Sequence, residues 1–357
     1  MSPHACHCVY CAAPRGGAFF LGAARRKTNP HACHQRGAAI LMAMLTVTLV
    51  ASLAAAALWQ QWRSVEVETA QRARVQSSWI LVGALDWARL ILREDKRSGG
   101  PDHLAEPWAV PLEEARLATF FATDSNAAEQ ANDVQQSFIS GQITDMQSRL
   151  NVTNLISEGK LSEMDVRQFV KLFALLTLPD AELERLVENL RLALDTTADS
   201  RSGASAPLVP QRVQQLVWMG LSAQSVAAIT PFVAILPTRT KINLNTAPAE
   251  VVYASINTLD LAGARQFVTA RTASQLRSLS DAKKLLGSRG EEVTDDQFSV
   301  VSDFFEVRGR LRLDQVMVLE RSLVQRFDRD IKTLWRERFA AQVDAGKGSP
   351  NPSLQLP

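Results

Sequence analysis

His34-Gln35-Arg36-Gly37-Ala38-Ala39-Ile40-Leu41-Met42 opens a stretch that continues as AMLTVTLVASLAAAALWQQW to Trp62, with no charged side chain between Arg36 and Arg63. Residues 38–58 alone supply a helix of about 31 Å at ~1.5 Å per residue, enough for a hydrocarbon core about 30 Å thick. Trp59 and Trp62 stand where interfacial aromatics belong, and the cations Arg25, Arg26, Lys27 and Arg36 precede the apolar run. That asymmetry keeps the N-terminal side cytoplasmic and exports the remainder of the chain. An ordinary secretory signal cut after the Ala-rich end is the competing reading. The apolar region is long for that, and it leads into helix-forming sequence instead of a loop. From residue 38 to 98 there is no proline and one glycine, Gly83. The helix is therefore expected to continue through residues 63–98, with Val75, Ile80, Ala84, Trp87 and Ile91 as its apolar stripe. Gly99, Gly100 and Pro101 stop it.

The formal charge of +2 conceals a division. Residues 1–37 carry five cations and no acid, which leaves 34 basic against 37 acidic side chains from Ala38 onward, or −3. The exported part lacks the electrostatic footprint of a nucleic-acid binder, and none is expected as a partner. All four cysteines and four of the five histidines also precede residue 38. Their spacing matches no standard zinc knuckle, and residues 1–37 read as a leader that is removed or as upstream sequence from an over-long start. His103 is the one histidine left, so neither a Ser-His-Asp triad nor a histidine metal cluster can be built in the exported part, and no enzyme is expected. No cofactor is required. Glu291, Glu292, Asp295 and Asp296 are weak candidates for calcium, a hard cation that takes carboxylate oxygens, but their spacing is not that of an EF-hand.

Beyond the helix, a short helical piece is expected near residues 112–121, and two short strands meeting near Thr144 and Asp145 within 136–151. Residues 304–313 alternate Phe305, Val307, Leu311 and Leu313 with Glu306, Arg308, Arg310 and Arg312. That is a strand with one apolar and one charged, solvated face; Asp314-Gln315 turns it and residues 316–326 return. Between these strand groups the apolar period is helical over 161–176, 180–194, 209–219, 247–257 and 261–270. Strands, then helices, then strands predict an α/β (α+β) head whose antiparallel sheet is interrupted by a large, all-helical insertion.

The most distinctive string is Lys241-Ile242-Asn243-Leu244-Asn245-Thr246-Ala247-Pro248-Ala249-Glu250. Thr246 can cap a helix that tolerates Pro248 in its first turn, and Asn243 and Asn245 can bond the preceding turn. The same string also opens helix-hairpin-helix DNA-binding modules, which makes an exported DNA-binding protein the alternative function. Those modules follow it with a Gly-rich hairpin that holds a phosphate, whereas this chain has Asp260 there. Residues 156–300 contain 15 basic and 16 acidic side chains and generate no attracting field.

The basic-Gly-apolar junction resembles a type IV prepilin processing site, and Gly141, Ile143, Asp145, Gln147, Arg149 and Asn151, followed by Asn154 and Leu155, resemble the signature of K-type minor pseudopilins of type II secretion, the general secretion pathway protein K family. The resemblance runs from about Arg36 to Phe339. It implies cleavage between Gly37 and Ala38 by prepilin peptidase, N-methylation of Ala38, and a pilin-like fold with a transmembrane helix. The structural family residues would be Gly141, Asp145, Gln147, Arg149, Asn151, Asn243, Asn245, Thr246 and Pro248. Most pilins carry Glu five residues after the cut; Met42 stands there, as in the K-type members. The resemblance further implies a subunit at the pseudopilus tip, helping to start assembly and protein export with minor pseudopilins I and J on an inner-membrane assembly platform, with its C-terminal part in the periplasm. The expected division is a leader over 1–37, membrane helix over 38–62, its continuation over 63–98, head over 99–155, insertion over 156–300, C-terminal strands over 301–341 and disordered tail over 342–357.

Overall fold

The structure, a computed structural model, describes residues 35–117, 137–194, 207–313, 316–327 and 330–342. The Cys/His-rich start, residues 118–121 of the expected helical piece, the turn at 314–315 and the tail from 343 lie outside these. The chain divides into a unit up to Ala70 and a unit from Gln71 onward. Helix α1 (Gln35–Ser98) runs through both.

In the first unit α1 is exposed from Ala38 onward, including Ile40, Leu41, Met42 and Leu45, and it is long and apolar enough to cross a membrane. Its few hydroxyls are satisfied by their own helix. Thr46, Thr48 and Ser52 donate to the carbonyls of Ala43, Leu45 and Leu49 at 2.9, 3.0 and 2.8 Å, as a lipid environment without other partners requires.

The second unit is built on a five-stranded antiparallel sheet. Its strands are β1 (Leu112–Arg116), β2 (Ser137–Asp145), β9 (Phe304–Leu313), β10 (Val316–Phe327) and β11 (Asp330–Gln342), in the spatial order β1-β2-β9-β10-β11. The intervening two-residue strands are β3 (Leu150–Asn151), β4 (Ile156–Ser157), β5 (Lys160–Leu161), β6 (Val233–Ala234), β7 (Ile242–Asn243) and β8 (Phe298–Ser299). Two expectations need correction. Residues 112–116 form an edge strand paired with β2 instead of starting a helix, because Leu112 and Ala115 turn to the sheet while Glu113 and Glu114 stay in water. Residues 137–145 form one strand, after which Met146–Ser148 make a single 3-10 turn capped by Asp145. β11, thirteen residues of mixed charge and aromatic character, is an addition the alternation pattern did not reveal.

The helix packs across the apolar face of this sheet. Leu81, Leu85, Ala88 and Leu92 are buried against Ile139, Ile143, Val307, Leu311, Val318 and Val324. Burying each leucine stabilises the contact by roughly 1.5–3 kcal/mol. The stripe is thus rotated from the expected one: Val75 and Trp87 are half-exposed, and Ile80, Ala84 and Ile91 flank the seam. Gly141 pairs with Gly309, and a Cβ on Gly309 would stand 3.3 Å from Leu81 Cδ2 of the helix. Trp108, from the loop after α1, closes one end with its ring edge on Phe305, centroids 5.1 Å apart.

Residues between β2 and β9 form a helical domain: α2 (Glu163–Leu175), α3 (Asp180–Leu194), a 3-10 segment Val213–Met219, α4 (Ala223–Ile229), α5 (Ala249–Ser255), α6 (Leu261–Ala273) and α7 (Leu279–Leu286). Its own core includes Phe169, Phe173, Leu186, Leu216, Val251 and Phe267. Short strands pair within it: β3 runs parallel to β6, and β7 parallel to β8. The charged face of β9 is not simply solvated. Met146, Ala234, Leu236 and Phe304 bury Leu323 on that face, and Glu306 is 1% exposed.

Candidate functional site

The residues singled out between 145 and 151 and between 241 and 248 converge where the helical domain leaves and rejoins the sheet. Asp145, the last residue of β2, is buried, and its carboxylate accepts four hydrogen bonds. Thr246 Oγ1 donates at 2.5 Å, Ser302 Oγ at 2.6 Å, Asn243 Nδ2 at 3.1 Å and the Gln147 amide at 2.8 Å. Burial pushes the carboxyl up to about 6, and the Ser302 and Thr246 hydroxyls oppose the rise. Asn243 also donates to the Asp102 carbonyl at 3.2 Å and to Ser302 Oγ at 2.9 Å.

Thr246 therefore spends its hydroxyl on Asp145 and caps no helix. Pro248 is the residue before α5, and its carbonyl accepts from Val251 and Val252. Asn245 clasps Leu276 by two bonds of 2.9 Å, side-chain amide to carbonyl and backbone amide to side-chain oxygen. Gln147 donates to the Lys241 carbonyl at 3.0 Å and accepts from the Asp303 amide at 2.6 Å. Asn151 donates to the Thr238 carbonyl at 2.8 Å and accepts from the Leu236 amide at 3.1 Å. Arg149 donates to the Thr230 carbonyl at 3.3 Å. Gly141 lies away from this junction, at the helix–sheet seam. Asn243 and Thr246 tie the domain to the end of β2, whereas Asn245, Asn151 and Arg149 hold segments between β2 and β9 to one another.

A second buried group adjoins the first and was not evident in the sequence. Arg326 of β10 is 3% exposed; it pairs with Asp95 at the end of α1 at 2.6 Å and with Asp102, and donates to the Ser302 carbonyl at 2.8 Å. Burial raises the carboxyls of Asp95 and Asp102 above their ordinary range, against the pull of Arg326. Asp95, Asp102 and Glu106 are also the carboxylates that converge within 4.8 Å among the described residues. Of the acids expected to gather for calcium, Glu292 accepts from the Asn257 amide at 2.5 Å, and Glu291, Asp295 and Asp296 are exposed. No local signal marks Arg326, because β10 also carries Glu320 and Arg321 and the sequence does not tell which of these charges is paired with α1.

At the hairpin between α5 and α6, Asp260 Oδ1 accepts from the Gly263 amide at 3.1 Å, so a carboxylate occupies the helix start that would face a phosphate. The hairpin's carbonyls hold a cation instead: Lys171 Nζ donates to Tyr253 and Ile256 at 2.6 and 2.8 Å.

A long apolar N-terminal helix laid on an antiparallel sheet, with a helical domain inserted in the head, defines a pilin-like α+β subunit anchored in a membrane. Family models described as type II secretion system protein K match residues 148–238 and 242–301. A type II secretion system protein K from Pseudomonas aeruginosa is 26% identical over 326 residues, covering 85% of this chain and 92% of that protein. A chain in the crystal structure of the GspK-GspI-GspJ complex from the enterotoxigenic Escherichia coli type 2 secretion system shares the fold. It superposes with a TM-score of 0.59 at 21% identity, over 76% of this chain and 98% of its own. The matching family models and the relative's likeness along most of its length support reading the chain as a type II secretion system protein K, a minor pseudopilin.

Proposed function

We propose that this minor pseudopilin stands at the tip of the pseudopilus, helps to initiate its assembly with minor pseudopilins I and J, and acts by binding and not by catalysis. It is anchored in the inner membrane with the sheet and helical domain in the periplasm, after cleavage between Gly37 and Ala38 by prepilin peptidase and methylation of Ala38. The observation that carries the tip reading is Met42. A glutamate buried in the membrane is tolerable where a neighbour's terminal amine neutralises it, and a subunit with nothing above it has no such neighbour. The solved relative's complex with GspI and GspJ supports the choice of partners.

Crosslinking in intact filaments tests the position: crosslinks from the helical domain should reach no pseudopilin head above it. This chain recurring along the shaft, with other heads stacked on its own, overturns the reading. The mass of the membrane-extracted N-terminus tests the processing. It should begin at methylated Ala38, whereas a start near Leu58 would mark an ordinary signal peptide.

A further inference from the structure

A cleft of about 830 Å³ separates the outer face of the sheet from the segment of the helical domain around residues 211–230. Its floor is aliphatic, from Met317 and Leu319 of β10, and Val217 and Ala227 face them from the helical domain. Arg149, Arg308, Arg310 and Arg321 also line it. Their charge is not balanced locally. Arg308 and Arg321 share the single carboxylate of Glu306, Arg321 at 2.6 Å. Arg310 shares Glu114 with Arg312, at 3.4 and 2.8 Å. Arg149 donates to a neutral carbonyl. The other lining ions are matched: Arg212 by Glu337 at 2.5 Å, and Glu320 by Arg338 at 2.5 Å.

We propose that this cleft is a docking groove for an acidic, aliphatic-bearing segment of another protein. Guanidinium groups with only half a carboxylate each can accept further carboxylates in bidentate geometry. The aliphatic floor and wall gain by covering branched apolar side chains. A nucleic acid would leave that floor uncovered, and the near-neutral helical domain supplies no field to attract one.

The test places photoreactive benzoylphenylalanine at Leu319, and separately at Val217, in the full-length chain in secreting cells. Adducts are digested and sequenced by mass spectrometry. Both positions should label one segment of one other polypeptide, rich in Asp or Glu between aliphatic residues. Replacing Arg149 and Arg308 together by Gln should lower the yield about tenfold, as expected when paired charges lose their partners. Replacing both by Lys should largely preserve it. Should the Gln variant fail to fold, the Lys variant and the unaltered chain still decide, because adduct yield in isolated membranes should fall as NaCl is raised. Adducts to a segment without acidic surplus, to nucleic acid or to lipid overturn the proposal. So do adducts joining residues 211–230 to the chain's own sheet, the absence of any adduct, or a yield indifferent to charge and salt.

Discussion

Asp145 holds together parts of the chain that are remote in sequence, and its four donors define what a substitution removes. Asparagine in its place cannot accept at its NH2 group, so Asp145→Asn deprives either the Gln147 amide, which bonds Oδ1, or Thr246, Ser302 and Asn243, which bond Oδ2, of their acceptor in a buried site. The expected loss is about 1–3 kcal/mol of unfolding free energy at neutral pH, measured by denaturant titration of the detergent-solubilised chain. The same residue sets a pH dependence. Its folded-state pKa of about 6 lies above the ordinary 3.8, so the folded protein takes up this proton before the unfolded chain does. The stabilisation it contributes is full below about pH 4 and is lost as pH rises through 6. The gap between the unaltered chain and Asp145→Asn should therefore be wider at pH 4.5 than at pH 7.5; a gap that narrows on acidification would contradict the assignment. Glu306 works in the opposite sense, since the Arg308 and Arg321 guanidiniums outweigh its burial and hold its carboxyl below the usual range. It cancels in the comparison. Sequence spacing flagged Asp145, Asn243 and Thr246 separately. That Thr246 bonds Asp145 and not the helix after it was illegible, because hydroxyl capping and a contact 101 residues away have the same local signature.

At the scale of elements, the seam between α1 and the sheet decides which face of the helix matters. Leu85 is 2% exposed and Trp87 is 51% exposed, although Trp87 is the larger residue. Leu85→Ala should cost about 2–5 kcal/mol, and Trp87→Ala should stay within about 0.5 kcal/mol, when the two variants are compared by thermal unfolding. Equal losses would mean that the helix lies on another face. Helical period alone identified the helix and its end at Gly99, yet it chose a stripe that included Trp87. The stripe through Trp87 and the stripe through Leu81, Leu85, Ala88 and Leu92 lie on different sides of the helix, and hydropathy alone does not say which of them the sheet covers. The alternation in β9 was clear because period two admits few competitors. β11 was not, since Arg336 and Arg338 reach back to the buried Glu320 at 3.4 and 2.5 Å, and that pairing breaks the apolar alternation that marks a strand. Likewise, the expected helix over 209–219 is a 3-10 segment, and α4 and α7 are too short to show a period.

For the whole molecule, the decisive contrast lies between an uncharged anchor and a head split by its own insertion. Introducing Met42→Glu puts a carboxylate into the membrane segment at a cost of about 2.5–3.5 kcal/mol when it is unpaired. Secretion by cells carrying this variant should equal or fall below that of the unaltered chain, and labelling should find no added copies along filaments. Copies appearing along the shaft would show that the missing carboxylate, and not the enlarged head, had set the position. The α+β head and its interruption could be read from the order of strand and helix patterns; the polar junction that joins the two could not, because it depends on contacts between distant segments.

The pairing of β2 with β9 also fixes a sequence of events in time. β2 is complete at Asp145, while its partner begins at Phe304, so a chain emerging into its compartment must hold an unsatisfied strand edge until the whole helical domain has arrived. Closing so long a loop is slow, and an open edge invites pairing with other chains meanwhile. The helical domain has a core of its own and can collapse during that wait, bringing its two ends together for the sheet to zip. A delay in the collapse of the insertion is therefore expected to prolong the interval in which β2 is vulnerable to misassembly.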